Sequence, residues 1–170
     1  MTLTVATAIP VPEPYARELR QARSGIGDPE AKSVPTHVTL LGPTEVDEPT
    51  LRAYADHLER VAAAHKPFEV HLRGTASFRP VSDVVFIALV HGISSCERLA
   101  ADVRDGPVAR EHDYPYHPHV TVAQDLQNEA LDRAFSELAD YEARFAVPGF
   151  TLYRHMDGEW CPYREFRFAV

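Results

Sequence analysis

The sequence predicts an α+β fold of two lobes related by a pseudo-twofold axis, and two observations carry that expectation. Stretches of period-two and period-3.6 hydrophobicity alternate along the chain. The tetrapeptide His37-Val-Thr-Leu40 returns as His119-Val-Thr-Val122, 82 positions later, and the same shift carries much of the remaining pattern onto itself. No segment rich in Gly, Ser or Pro divides the halves. A single bilobal domain over residues 1–170 is therefore expected, with its internal repeat at about 3–76 and 84–156.

The elements follow in order. Alternating apolar residues near the start predict a strand over 3–9, and a helix is expected over 13–23. The first His-x-Thr lies on a predicted strand at 36–41. Leu51, Tyr54, Ala55, Leu58, Val61 and Ala62, at steps of three and four behind acidic Asp47 and Glu48, predict a helix over 48–65. Strands at 67–76 and 84–90, a helix at 94–105, the second His-x-Thr strand at 118–123 and a helix at 128–141 complete the repeat. Shifted by 82, Phe68 meets Phe150, Phe78 meets Trp160 and Pro80 meets Pro162. Strands at 149–156 and 163–169 flank Asp157-Gly158, a pair suited to the positive φ of a hairpin turn.

Composition bounds the function. With 170 residues, 19.0 kDa and 45% hydrophobic residues, the chain can fill a core without metal or disulfide staples. A net charge of −8 and a pI near 5.5 argue against a general nucleic-acid coat, while a local anion site is compatible with them. The longest apolar run, Val84 to Val90, is far short of the roughly 20 residues needed to span a bilayer. The first ten residues lack the basic region of a secretory signal. A cytoplasmic monomer with no membrane partner is expected. Cys96 and Cys161 form no CxxC pattern and read as two reduced thiols.

Side chains two apart on a strand share a face, so His37 and Thr39 point one way while Val38 and Leu40 point the other, and His119 and Thr121 do likewise. If the lobes face each other, two imidazoles and two hydroxyls converge on one cleft. Two histidines can divide the roles of general base and general acid, since an imidazole pKa near 6.5 lets one be neutral and one charged close to pH 7. Threonine hydroxyls can donate to anionic oxygens, so a phosphoryl group fits between the pairs. His37 and His119 are the expected catalytic residues, and Thr39 and Thr121 the expected substrate contacts.

The residues His37-Val-Thr-Leu-Leu-Gly-Pro43 and Tyr116-His-Pro-His-Val-Thr-Val122 resemble the two signature tetrapeptides of the 2H phosphoesterase superfamily, which includes 2′-5′ RNA ligases and cyclic phosphodiesterases. The resemblance covers essentially the whole chain. It implies two antiparallel sheets around a central cleft with helices outside. It also implies a phosphoesterase that needs neither metal nor cofactor and opens 2′,3′-cyclic phosphates of nucleotides or RNA ends to leave a 2′-phosphate. For hydrolysis it leans toward His119 as base and His37 as acid. Many members carry Arg shortly after the second motif, where this chain reads Val122-Ala-Gln124, and a neutral residue there argues against RNA ligase activity.

Other readings of the same residues stand beside this one. Tyr114 and Tyr116 could stack on a base. His117 and His119 could begin a zinc site. Arg79, Arg154 and Arg164, near predicted strand ends, could reach a phosphate. Phe78 and Trp160 read first as core residues that could border the cleft. A non-catalytic module that binds a nucleotide or phosphate in the same cleft would use the same residues.

Overall fold

The computed structural model describes residues 1–108 and 110–170. Among these, eight strands and four α-helices follow in the order β1 (Thr2–Pro10), α1 (Tyr15–Gly25), β2 (His37–Asp47), α2 (Glu48–Ala63), β3 (Phe68–Ser77), β4 (Val84–His91), α3 (Ile93–Arg104), β5 (His119–Gln124), α4 (Asn128–Glu137), β6 (Glu142–Val147), β7 (Gly149–Met156) and β8 (Glu159–Arg167). A 3₁₀ turn at Pro29–Lys32 lies between α1 and β2. The strands form two antiparallel sheets of four, ordered β2-β1-β7-β8 and β5-β4-β3-β6.

Sheet and sequence repeat do not coincide. β3, the last strand of the first repeat, pairs with β4, the first strand of the second. β7 returns to pair with β1. Each lobe thus takes a central strand from the other half of the sequence. The exchange leaves β2 and β5 as sheet edges that approach each other between the lobes, with α1 packed on β5 and α3 packed on β2.

α2 forms where its stripe demands. Asp47 caps it by accepting from the Thr50 N–H at 2.8 Å, and Leu51, Tyr54, Ala55, Leu58, Val61 and Ala62 are all buried. The Tyr54 hydroxyl, fully buried, shares a 2.6 Å hydrogen bond with that of Thr7 on β1. The β7–β8 turn holds Asp157 at φ 51° and Gly158 at φ 81°, so the hairpin loop has two residues and β8 begins earlier than the sequence pattern suggests. No described helix is long and apolar enough to cross a membrane.

One element departs in kind from expectation. The helix read over 128–141 stops at Glu137, and a strand, β6, follows. Ala143, Phe145 and Val147 are buried and Glu142, Arg144 and Ala146 exposed, a strict period of two. Glu, Ala and Arg favour helices, but pairing along β3 decides the conformation.

Candidate active site

β2 and β5 open on the histidines themselves, each preceded within two residues by a proline, Pro35 and Pro118. Strand alternation then sorts the side chains. Val38 and Leu40, like Val120 and Val122, are buried in the lobes, whereas His37, Thr39, His119 and Thr121 are half-buried on the other face. All four line one cavity of about 360 Å³ between the lobes.

The two rings are held by the same device. The Pro35 carbonyl lies 2.5 Å from His37 Nδ1, and the His117 carbonyl lies 2.7 Å from His119 Nδ1. A carbonyl can only accept, so Nδ1 carries the proton in each ring and Nε2 is the nitrogen left for chemistry. His37 Nε2 lies 3.1 Å from Thr39 Oγ1.

Both imidazoles are held below their ordinary pKa. For His37 the cause is first burial, opposed by the Pro35 carbonyl and reinforced by the Arg23 charge. For His119 it is again burial, opposed by the His117 carbonyl, with smaller repulsions from His117 and His37. Both rings are therefore neutral in the free protein near pH 7. Phe78 and Phe86 meet the His119 ring at an edge-to-face geometry, with centroids 5.0 and 5.2 Å away.

Several cavity residues escaped sequence reasoning. Arg23 and Glu30 line it, and Arg23 donates from Nε to Asp28 at 2.7 Å in an ion pair whose side chains are 7% and 1% exposed. Tyr153 stands on β7 opposite Ala6, a small residue that leaves room for its ring in the cavity wall. Burial raises the Tyr153 pKa, which keeps it a neutral hydroxyl. Gln124 lines the cavity as well. Trp160, read first as core and second as a cleft border, lines the cavity.

The two tyrosines differ from each other. Tyr114 is 67% exposed and stands on an adjoining cavity of about 830 Å³, which meets the first at Thr39, Gly42, Val84, His119 and Gln124. Tyr116, which lines the same adjoining cavity, is anchored at its hydroxyl and at one face of its ring. Its hydroxyl donates to the Thr39 carbonyl at 2.7 Å, and the Arg104 guanidinium sits 4.9 Å above its ring. The arginines read as phosphate candidates are engaged elsewhere. Arg79 pairs with Asp132, Arg164 pairs with Glu59, and Arg154 lies over Tyr163. His117 is exposed, its ring 6.2 Å from that of His119. Among the described residues no group of three His, Cys, Asp or Glu side chains is placed to hold a metal ion.

The family model described as the 2′-5′ RNA ligase superfamily matches residues 10–159. The chain belongs to this superfamily. Its membership places it among the 2H phosphoesterases. A protein of Oceanobacillus iheyensis named as a candidate phosphoesterase is 28% identical over 130 residues, covering 76% of this chain and 72% of its own length. Among solved structures, E. coli LigT complexed with 3′-AMP superposes with a TM-score of 0.73 at 20% identity over the full length of both chains. TT0787 of Thermus thermophilus gives 0.72 at 23% identity over 97% of each. At such identities the likeness establishes the fold, two antiparallel four-stranded sheets with four helices.

Proposed function

We propose that this 2H phosphoesterase hydrolyses 2′,3′-cyclic phosphates of nucleotides or RNA ends, with His119 as general base, His37 as general acid, and Thr39 and Thr121 as donors to the phosphoryl oxygens. The observation that carries the reading is the pair of equivalent His-x-Thr faces on one cavity, each with Nδ1 fixed by a backbone carbonyl so that Nε2 is the nitrogen available for proton transfer. LigT, whose fold this chain shares, has been crystallised with 3′-AMP and with ATP, which supports a nucleotide as the occupant.

In the proposed step, water adds to phosphorus as its proton passes to His119 Nε2. The bond to the ribose 3′-oxygen breaks, and that oxygen takes the proton carried on His37 Nε2. The product is the 2′-phosphate, and one further proton transfer through solvent resets the rings. Because both rings are neutral in the free protein, the acid must gain its proton with substrate. A monoanionic cyclic phosphate between the rings favours that charged form. The chemistry uses only water and side chains of the chain itself, and activity should be unchanged by EDTA.

The test is a screen of the four 2′,3′-cyclic nucleotides and of oligonucleotides ending in a cyclic phosphate, with phosphorus NMR of the product. Turnover to the 2′-phosphate is expected. Saturable binding without product would overturn catalysis in favour of a binding module, and loss of activity on chelation with recovery on zinc would overturn the acid–base assignment. A substrate with a p-nitrophenolate leaving group separates the two roles. It needs no acid, so it should rescue His37→Ala and leave His119→Ala inactive.

A further inference from the structure

Edge strands carry backbone groups with no strand partner on one side, and the two motif strands are both edges. In this chain those groups are gripped by side chains from the other half of the sequence. Asp28, 3% exposed and placed between α1 and β2, accepts through Oδ2 from the Gln124 N–H at 3.1 Å and from Arg23 Nε at 2.7 Å, and through Oδ1 from the Glu30 N–H at 3.0 Å. Gln124 is the last residue of β5. In the other direction, the Tyr116 hydroxyl donates to the Thr39 carbonyl at 2.7 Å, and Arg104 Nε, from the end of α3, donates to the Leu40 carbonyl at 2.8 Å. Arg104 also covers the Tyr116 ring. The helices behave the same way, α1 lying on β5 and α3 on β2.

These ties bracket the chemistry. Tyr116 stands three residues before His119, and its bond lands two residues beyond His37, while Asp28 holds the far end of β5. We infer that Asp28 and Tyr116 are positioning residues that set the gap between His37 and His119, with Arg104 fixing the Tyr116 ring. Neither needs to touch substrate. They hold two rings on separate lobes at the spacing that one phosphoryl group bridges. The inference rests on the acid–base reading of the histidine pair. Its physical basis is that a misplacement of about 1 Å between reacting groups costs on the order of 100-fold in rate.

Tyr116→Phe and Asp28→Asn are the variants, and Tyr54→Phe is the control, since it removes a buried hydroxyl bond of similar length that stays within one lobe. Each tie variant should lower kcat about 10-fold with KM changed less than about 2-fold, whereas Tyr54→Phe should lose thermal stability and keep its kcat. A second readout needs no turnover. His119 faces His37 on β2 and His117 in its own lead-in, and its ring meets those of Phe78 and Phe86, which also touch each other. If the lobes part, its NMR titration should rise toward the ordinary imidazole value in both tie variants and stay put in Tyr54→Phe. Losses of kcat that merely track thermal stability across all three, or an unmoved His119 titration in the tie variants, would overturn the inference. If the wild-type protein turns over no cyclic phosphate, the proposed function falls and the titration alone decides. If Asp28→Asn does not fold, Tyr116→Phe carries the test, because it removes a single hydroxyl.

Discussion

The two halves of the cavity share a backbone and differ in what surrounds it. On the β2 side, His37 touches Thr39 through Nε2 and lies near the charge of Arg23, which is held by Asp28 and Glu30. On the β5 side, among the described residues, His119 has no such ion pair beside it and rests against the contacting rings of Phe78 and Phe86, with His117 at its exposed flank. The carbonyl-to-Nδ1 bond recurs in both, so the ring orientation is the common requirement. The polar frame on one side and the aromatic frame on the other are where two equivalent histidines can acquire different roles.

The largest expected effect tests what the halves have in common. His37→Ala and His119→Ala should each lose roughly 10²–10⁴ in kcat on a cyclic phosphate while remaining folded, as judged by circular dichroism. Full turnover by either folded variant would remove that ring from the chemistry.

Next comes the buried ion pair whose Arg23 charge bears on His37 and whose Asp28 carboxylate also accepts from Gln124 on β5. Arg23→Met leaves Asp28 buried with one donor fewer and should cost about 3–5 kcal/mol in a urea titration. Arg164→Met, which breaks the exposed pair with Glu59, should cost roughly 0–1 kcal/mol. Equal losses would mean that the β2 frame is no more rigid than the surface.

The pH profile should then show the lowered titrations directly. A base must be neutral, so its flank is lost as pH falls through its pKa. An acid must be charged, so its flank is lost as pH rises through its own. Both rings are lowered in the free protein, and both flanks of kcat/KM should therefore be displaced to the acid side of an ordinary imidazole. Bound phosphate opposes the shift, so the alkaline flank of kcat should stand at higher pH than that of kcat/KM. An alkaline flank at the same pH in both would mean that substrate does not charge the acid.

What was legible in the sequence was contiguous. The His-x-Thr faces can be read because strand alternation fixes them within four residues, and the α2 stripe because its period lies within one element. Partners are another matter. Hydrophobic pattern marks β3 and β7 as strands but says nothing of their exchange between lobes, which sequence-distant pairing decides. β6 was hidden by helix-favouring Glu, Ala and Arg although its alternation was on view. The bond from Gln124 to Asp28 and that from Tyr116 to Thr39 have no local signature, because their partners lie 96 and 77 positions apart.

The smallest effect is also the most direct comparison of the halves. Thr39→Val and Thr121→Val each remove one hydroxyl that the proposed mechanism uses as a donor to phosphate, worth about 0.5–1.5 kcal/mol, or roughly 2- to 10-fold in kcat/KM. Thr39 should cost more, because its hydroxyl also lies 3.1 Å from His37 Nε2. In the free protein that nitrogen is an acceptor, so the hydroxyl donates to it and favours the neutral ring. Removing the donor should raise the His37 titration and carry one flank of the kcat/KM profile upward, a shift that Thr121→Val should not produce. When substrate charges the ring, Nε2 becomes a donor and the Thr39 hydroxyl is released to the phosphoryl oxygens, so ring and hydroxyl would change partners together. Equal losses in the two variants with neither flank displaced would show that the β2 and β5 halves act alike despite their different frames.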